Sequence, residues 1–474
     1  MTDPQVAILM LSLFIVLVLL GFPIAFTLLA MGVAFGYYAY YQSAPESIAD
    51  IFNNNIFYLL NQNTYSVMEN DTLVAIPLFL FMGYVVERAN IVNRLFYSLQ
   101  MAARNLPGSM AIAALLTCAV FSTASGIVGA VVTLMGLLAF PAMNNAGYDK
   151  KFAAGVICNA GTLGILIPPS IVMVVYAAAV EVSVGRMFLA GVIPGLMAGL
   201  MLMVTIYVMA KVKNLPKGEW LGWGEIFTSA REAGWGLFLI VIILGGIYGG
   251  IFTPTEAAAV AAVYAFFIAC FVYKDMGPLS NGEGEAKTPL LKKPHALITA
   301  FFHSDTKHTL FEAGKLTVTL LFVIANALIL KHVLTDEQVP QHIANAMLSA
   351  GFGPVMFLVV VNVILLIGGQ FMEPSGLLVI VAPLVFPIAI ELGIDPIHLG
   401  IIMVVNMEIG MITPPVGLNL FVTSGVAGMP MMGVVKAALP FLAVLFVFLI
   451  MITYIPWLST VLPNAVMGPE IITK

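Results

Sequence analysis

The chain has 474 residues, 61% of them hydrophobic and only 9% charged, and its mean hydropathy is +1.03. This composition excludes a soluble globular domain and indicates a polytopic membrane protein in contact with lipid, for which no nucleic-acid partner is expected. The net charge of −5 is less informative than the positions of the charges along the chain.

Apolar segments long enough for membrane helices, about 20 residues each, are predicted along most of the chain. In order, they cover roughly residues 6–20, 22–41, 72–87, 109–143, 152–180, 188–210, 234–252, 255–273, 309–331, 353–390, 396–428 and 433–456. The more polar segments 51–66 and 90–104 are predicted to be amphipathic helices at the membrane interface.

Two of these segments, 109–143 and 353–390, are too long for one helix, and each contains an interruption. Ser125-Gly126 interrupts the first, and residues 373–376 (Glu-Pro-Ser-Gly) interrupt the second. Each segment is therefore predicted to fold as a hairpin with arms of about 15–18 residues. Arms of this length favour re-entrant hairpins that stop within the membrane, although two thin full spans would give the same topology.

Segments 152–180 and 396–428 are each predicted to be a broken helix, because consecutive prolines remove backbone donors and clash with the preceding turn. Pro168-Pro169 breaks the first segment and Pro414-Pro415 the second, 246 residues later. The same offset also aligns pairs outside the two breaks: Phe140-Pro141 with Phe386-Pro387, Gly147 with Gly393, Asp149 with Asp395, Gly164 with Gly410, and Pro194 with Pro440. Two apolar halves with a broken helix at matching places are the pattern of a transporter's binding site.

The positive-inside rule predicts that the two halves are inverted. It places 16 of the 19 basic residues in the cytoplasm and leaves Arg186, Lys331 and Lys474 outside, so that both termini are periplasmic. The first hairpin then opens to the cytoplasm and the second to the outside. The predicted fold is an all-α polytopic membrane protein with an inverted repeat, two re-entrant hairpins and two discontinuous helices.

The predicted division has scaffold and arm helices in 1–108, the first hairpin and broken helix in 109–187, and scaffold with a polar linker (274–308) in 188–352. The second hairpin and broken helix occupy 353–430, and a scaffold helix with the C-terminal tail occupies 431–474. The hairpins and broken helices are predicted to be the transport domain.

The predicted transport domain has no Lys or Arg in residues 105–149, 152–185 or 332–435, so it offers no fixed cation to an anion. It does offer helix N-termini, which attract negative charge, and unwound carbonyls, which suit sodium. Hydroxyl and amide side chains cluster there, although small polar residues also serve helix packing. The predicted substrate-binding residues are Ser122, Thr123, Asn159, Thr162, Glu373, Asn406 and Glu408.

Glu373 and Glu408 are the acids of the second hairpin and second broken helix. Because a charge in the middle of a membrane costs about 2.5–3.5 kcal/mol on insertion scales, both are candidates for cation ligands or proton carriers. The alternative is that they lie near the surface or stay protonated.

Several long motifs resemble the large membrane subunit of TRAP transporters, the M subunit of the dicarboxylate type. They are LGILIPPS at 163–170, GYDKKFAAG at 147–155, FLAGVIPG at 188–195, FTPTEAAAVAAVYA at 252–265 and IIMVVNMEIGMITPPVGLNLFV at 401–422. The resemblance implies a sodium-driven importer of organic acids in a prokaryotic inner membrane, working by an elevator mechanism. It also implies a small four-helix membrane partner, not fused to this chain, and a soluble periplasmic substrate-binding protein.

Carried over by motif, one sodium site would use Ser125 and the backbone carbonyls of Gly164, Ile167 and Pro169. The repeat then suggests a second sodium site at Gly376, Gly410, Thr413 and Pro415. Sodium would be the coupling ion, and no cofactor is expected. Glu373 stands where the family more often has Asp, which leaves the role of this acid open.

Three other functions are weighed against this one. A stand-alone ion-coupled anion carrier of related fold is nearly equivalent in sequence terms. An intramembrane serine protease is disfavoured because the Thr123–Gly126 tip has no histidine base near it. A passive channel would be excluded by sodium-dependent uptake against a gradient.

Overall fold

The structure is a computed structural model that describes residues 20–40, 54–125, 128–218, 220, 222–280 and 293–469, together with residues 6, 9, 10, 12–14, 16 and 17. The side chains at 123–125, 340, 344 and 348 lie outside this description. All regular secondary structure in the described part is helical, as predicted. Seven of its helices are long and apolar enough to cross a membrane, and one pair bent by 59° would make an eighth span.

The helices of the first half are α1 Ile24–Ala39, α2 Asn55–Glu69, α3 Asp71–Arg88, α4 Ile91–Ala103, α5 Ser109–Ser125, α6 Val128–Asn145, α7 Lys150–Ala160, α8 Ile171–Val180, α9 Val184–Val212 and α10 Trp223–Tyr248. Those of the second half are α11 Pro254–Phe267, α12 Ala296–Phe302, α13 Ser304–Asp336, α14 Val339–Ser349, α15 Pro354–Gly369, α16 Pro374–Glu391, α17 Pro396–Gly410, α18 Leu418–Ala427, α19 Met431–Tyr454 and α20 Trp457–Met467.

Both predicted hairpins and both predicted broken helices are present. The pairs α5–α6 and α15–α16 form the hairpins, while α7–α8 and α17–α18 form the broken helices. Each hairpin packs its first arm on the broken helix of its own half and its second arm on the broken helices of both halves. Thus α6 packs on α18 and α16 packs on α8, an exchange that joins the two halves into one core group.

The repeat also fixes how each broken helix begins. Asp149 Oδ1 accepts a hydrogen bond of 3.1 Å from the amide of Lys151. Asp395 Oδ1, at the matching position, accepts bonds of 2.8 and 3.0 Å from the amides of Ile397 and His398. These caps satisfy amides that have no partner within the helix. Asp149 also pairs with Lys213 at 2.8 Å, and this hydrogen bond holds the pKa of Asp149 below its usual range.

Glycine is required at both matched positions beside the breaks, because the first arm of each hairpin touches the chain there. A Cβ added to Gly164 would lie 1.6 Å from Ser122 Oγ and 2.7 Å from the backbone carbonyl carbon of Ser122. A Cβ added to Gly410 would lie 2.7 Å from the Cα of Gly369. Neither contact leaves room for a side chain.

A second group of helices lies beside the core group. In this group, which we call the frame, α3 packs against α11 and α13, and α13 packs against α1 and α2. The long helices α9 and α19, predicted as scaffold, pack on the broken helices: Gly191 and Gly195 of α9 approach the first break, and Gly155 of α7 approaches α19. The predicted domain boundaries stay a prediction, but these contacts favour placing both helices with the core group.

Some helices lie outside the predicted segments. Neither α14 nor α20 is anticipated, and α12 lies within the predicted polar linker. Pro463 lies within α20 and interrupts its apolar pattern. The helix α13 has 33 residues, and its polar ends extend beyond the predicted apolar segment 309–331. The three cysteines, Cys118, Cys158 and Cys270, are buried.

Candidate functional site

The first break begins where α7 ends. Residues Gly161–Ile165 form a short 3-10 helix, and a turn and bend over residues 166–169 then lead to α8. The Ser170 hydroxyl donates to the carbonyl of Ile165 at 2.6 Å and caps α8 by accepting from the amide of Met173 at 3.4 Å. The Pro168–Pro169 peptide bond is cis, as is the matching Pro414–Pro415 bond.

The second break is tied to the tip of the second hairpin. The amide of Gly417 donates to the carbonyl of Gln370 at 3.0 Å, and the amide of Asn419 donates to the carbonyl of Met411 at 3.0 Å. These bonds fix the chain between α17 and α18 without a helix.

The breaks leave some backbone carbonyl oxygens without a hydrogen-bond donor in the described part of the chain. Within the described residues, no donor reaches the carbonyl oxygens of Gly164, Ile167 or Pro169. The second set is less open, because the carbonyl of Gly410 already accepts from the amide of Thr413 at 3.1 Å. Uncommitted carbonyls are hard oxygen ligands of the kind that sodium prefers.

The remaining predicted sodium ligands lie at the second break and at the tips of the two hairpins. The Thr413 hydroxyl donates to the carbonyl of Ile409 at 2.7 Å, while the carbonyls of Thr413 and Pro415 have no donor among the described residues. The amide of Gly376 is bound to Glu373 at 3.2 Å. The Ser125 side chain lies outside the description, so its place in the first site stays a prediction.

Buried polar side chains join the two broken helices. Thr162 Oγ1 lies 2.9 Å from Glu408 Oε1, and both residues are 0% exposed. The Asn419 amide group donates to the carbonyl of Cys158 at 3.2 Å. Further along, the Tyr176 hydroxyl donates to the carbonyl of Pro396 at 2.7 Å. The two halves therefore meet through hydrogen bonds as well as apolar packing.

Other predicted site residues extend this polar cluster. Ser122 donates to the carbonyl of Gly161 at 3.3 Å, and Asn159 donates to that of Gly155 at 2.7 Å. Asn406 donates to Asn362 Oδ1 at 2.7 Å. Several buried oxygens have no hydrogen-bond partner within the described chain: Asn159 Oδ1, Asn406 Oδ1, Asn419 Oδ1 and Glu408 Oε2. Such atoms are available to an ion, water or ligand.

Glu373 differs from Glu408 in its surroundings. It is exposed, and its carboxylate caps α16 by accepting from the amide of Gly376 at 3.2 Å and from the hydroxyl of Ser375 at 2.6 Å. This cap accounts for an acid at the hairpin tip, and its predicted contact with substrate stays a prediction.

A cavity of about 590 Å³ lies between the core group and the frame. The core side is lined by the first turns of α6, α8, α16 and α18 through Val128, Ile171, Ser375 and Leu418. The frame side is lined by the first turn of α1 and by residues 316–323 of α13. Among the described residues, no Lys, Arg or His lines this cavity, and Glu373 is its charged side chain.

The structure separates the predicted substrate residues into two sets. Glu373 lines the cavity, whereas the others with described side chains are buried in the core group behind its lining: Ser122, Asn159, Thr162, Asn406 and Glu408. The Thr123 side chain lies outside the description. Sequence reasoning missed the walls formed by α1 and α13, because their apolar residues look the same as residues that face lipid.

Comparison with known proteins agrees with this architecture. Residues 11–458 match the family described as tripartite ATP-independent periplasmic transporter, DctM component. The chain is similar to two proteins called C4-dicarboxylate TRAP transporter large permease protein DctM. The one from Vibrio cholerae serotype O1 is 63% identical over 85% of this chain and 88% of its own length. The one from Pseudomonas aeruginosa is 54% identical over 84% of this chain and 88% of its own length.

Among solved structures, the chain resembles the YdaH transporter of Alcanivorax borkumensis, which is described as having an unusual topology. The two share 15% sequence identity and a TM-score of 0.56, over 93% of this chain and 97% of the other. At this identity the likeness concerns the fold alone.

Proposed function

Because this chain belongs to the family of DctM components of tripartite ATP-independent periplasmic transporters, we propose that it is the permease through which a carboxylate enters the cell, driven by sodium. A C4-dicarboxylate is the favoured substrate, since two similar proteins carry that name. The chain is a multi-pass protein of the inner membrane and not an enzyme, as its family membership and its apolar helices indicate.

The observation that carries the proposal is the convergence of helix first turns on the 590 Å³ cavity. Each helix N-terminus holds a partial positive charge, worth about 0.3–1 kcal/mol toward an anion at an exposed site, although the amides of Gly376 and Met173 are already taken by caps. Several such termini can hold a carboxylate without a Lys or Arg, and the cavity lining has neither. A site of this kind accepts an anion and releases it again easily.

Sodium supplies the charge that the protein lacks. A dicarboxylate brings two negative charges to a cavity that already contains Glu373. Sodium ions held by the uncommitted carbonyls of the first break, and by those of the second, would offset this charge close to the substrate. Substrate and sodium would then bind together, as coupling requires.

The position of the cavity suits an elevator mechanism. One wall belongs to the hairpins and broken helices, and the other belongs to the frame helices α1 and α13. Movement of the core group past the frame would carry the substrate across the membrane with its sodium ions. The packing of α9 and α19 on the broken helices favours their moving with the core group.

The weak affinity for anions expected of this cavity implies that the permease works with partner proteins. Without a fixed cation, the cavity is poorly suited to capture a dilute anion. A periplasmic binding protein docked on the outer face would deliver the substrate at a high local concentration. A small four-helix membrane subunit would brace the frame.

Reconstitution tests this proposal. The chain is placed in liposomes with an inward sodium gradient, with and without the binding protein and small subunit, and is supplied with succinate. We expect sodium-driven uptake by the complete system and little by the lone chain. Equal uptake by the lone chain would favour a stand-alone carrier, and uptake that ignores sodium would refute the coupling.

A further inference from the structure

The contact between Thr162 and Glu408 joins two equivalent positions of the repeat. The two residues are 246 apart, which is the offset that aligns the Pro-Pro breaks. Equivalent residues of two repeats can touch only close to the axis that relates the repeats. The contact therefore marks the centre of the core group, where the two broken helices cross.

Each residue of this pair also stands two positions before a glycine of its own break. Thr162 precedes Gly164, and Glu408 precedes Gly410. These glycines carry carbonyls of the two proposed sodium sites. Two residues of backbone therefore connect each end of the Thr162–Glu408 hydrogen bond to a carbonyl oxygen of a proposed sodium site.

The packing around the two breaks leaves little room for the backbone of either break to shift. Gly164 lies against Ser122 and Gly410 lies against Gly369, with no room for even one added carbon atom. Thr162 and Glu408 are 0% exposed, so bulk solvent does not reach the bond between them. Close-packed elements of this kind move together instead of deforming locally.

We propose that Thr162 and Glu408 form a positioning pair that couples the two sodium sites, so that an ion bound at one break raises the affinity of the other. This inference rests on the proposed sodium sites and adds their cooperativity. An ion at the first break would fix the Gly161–Ile165 turn, and the hydrogen bond would then hold Glu408 and the end of α17 in the arrangement that the second ion requires. The coupling must act equally in both directions.

Two variants remove the bond by different routes. Glu408→Leu deletes the carboxyl group, and the Thr162 hydroxyl can then donate its single hydrogen to the carbonyl of Asn159, 2.8 Å away. Thr162→Val deletes the hydroxyl at nearly constant volume. Two conservative variants, Glu408→Gln and Thr162→Ser, keep an acceptor and a donor and should restore the coupling.

Tyr176→Phe is the matched control. It removes another hydrogen bond between the broken helices, that to the carbonyl of Pro396, at a distance from both breaks. A variant that merely loosened the core group would behave like this control. Loss of coupling should be confined to the Thr162–Glu408 pair.

The measurement is the sodium-binding isotherm of the detergent-purified protein, followed by the shift of the thermal midpoint with sodium concentration and fitted with a Hill coefficient. The sodium dependence of succinate uptake by the complete reconstituted system gives a second readout, the half-saturating sodium concentration. Wild type, both conservative variants and Tyr176→Phe should give a coefficient clearly above 1. Glu408→Leu and Thr162→Val should give about 1, with a higher half-saturating sodium concentration, within the roughly 5- to 150-fold range typical of coupled sites.

The outcomes are distinct. Cooperative sodium binding by folded Glu408→Leu or Thr162→Val would overturn the coupling and leave the sodium sites in place. Uptake by the wild type that needs no sodium would instead overturn the proposed function on which the coupling rests. If Thr162→Val does not fold, Glu408→Leu decides the question, since it leaves no donor without a partner.

Discussion

Substituting Gly164 by Ala should damage the protein far more than the same change at an ordinary helical glycine. The new Cβ would lie 1.6 Å from Ser122 Oγ and 1.9 Å from Ser122 Cβ, and 2.7 Å from a backbone carbon of the same residue. Rotation of the Ser122 side chain relieves only the first of these contacts. The first arm of the hairpin must therefore move away from the break.

The magnitude follows from these distances. Adding a carbon to a well-packed core costs about 1–3 kcal/mol and sometimes more. The smaller unfolded-state entropy of Ala offsets at most about 1 kcal/mol of this cost. Because the backbone contact at 2.7 Å remains even when Ser122 is replaced by Gly, the double variant should recover only part of the loss.

The assay is thermal unfolding of the purified protein in detergent, followed by sodium-dependent uptake. Gly199→Ala is the control, since its Cβ would meet only Leu163 Cδ1, at 3.9 Å, in the interior of α9. That change should be neutral or stabilising by up to about 1 kcal/mol. Gly164→Ala should lower the thermal midpoint and raise the half-saturating sodium concentration. Equal midpoints for the two variants would refute the packing argument.

Further predictions concern the repeat, the termini of helices and the cavity. Gly410→Ala should repeat the loss seen at Gly164, and a normal thermal midpoint would show that the second hairpin adjusts where the first cannot. Asp395→Ala should lower the free energy of unfolding by about 1 kcal/mol through loss of the α17 cap, while Asp395→Asn should keep most of it. The lowered pKa of Asp149 means that its ion pair stabilises the protein above the unfolded-state pKa and is lost as the pH falls through the folded-state pKa. The stability difference between wild type and Asp149→Asn should therefore shrink from pH 7 to pH 3, starting from no more than about 1 kcal/mol because the pair is exposed. In a background without native cysteines, a disulfide between Thr319→Cys on α13 and Ser375→Cys on α16 should stop uptake until it is reduced. Full uptake with that cross-link complete would argue for local gating instead of movement past the frame.

Local chemistry explains which features could be predicted from the sequence. The Pro168-Pro169 and Pro414-Pro415 breaks follow from missing backbone donors, and their spacing reveals the repeat without any knowledge of packing. The hairpins follow from apolar segments that are too long for one helix. Asp149 and Asp395 could be recognised as matching residues, and the structure shows them to be matching caps.

The contacts between distant segments could not be predicted in the same way. Nothing near Gly164 in the sequence points to Ser122, and the Thr162–Glu408 bond requires the position of the repeat axis. The cavity wall on α13 is apolar, so hydropathy cannot distinguish it from a surface that faces lipid. The sequence therefore did not separate residues that line the cavity from those buried behind it.

The central claim is that sodium ions and a carboxylate cross the membrane together in the core group. The most direct test is the simultaneous uptake of radioactive sodium and radioactive succinate by the same proteoliposomes, which contain the complete system and have a clamped membrane potential. With one ion site at each break, we expect about two or more sodium ions to enter with each succinate, and both fluxes to stop when either solute is omitted. Succinate that accumulates without sodium entry would contradict the account.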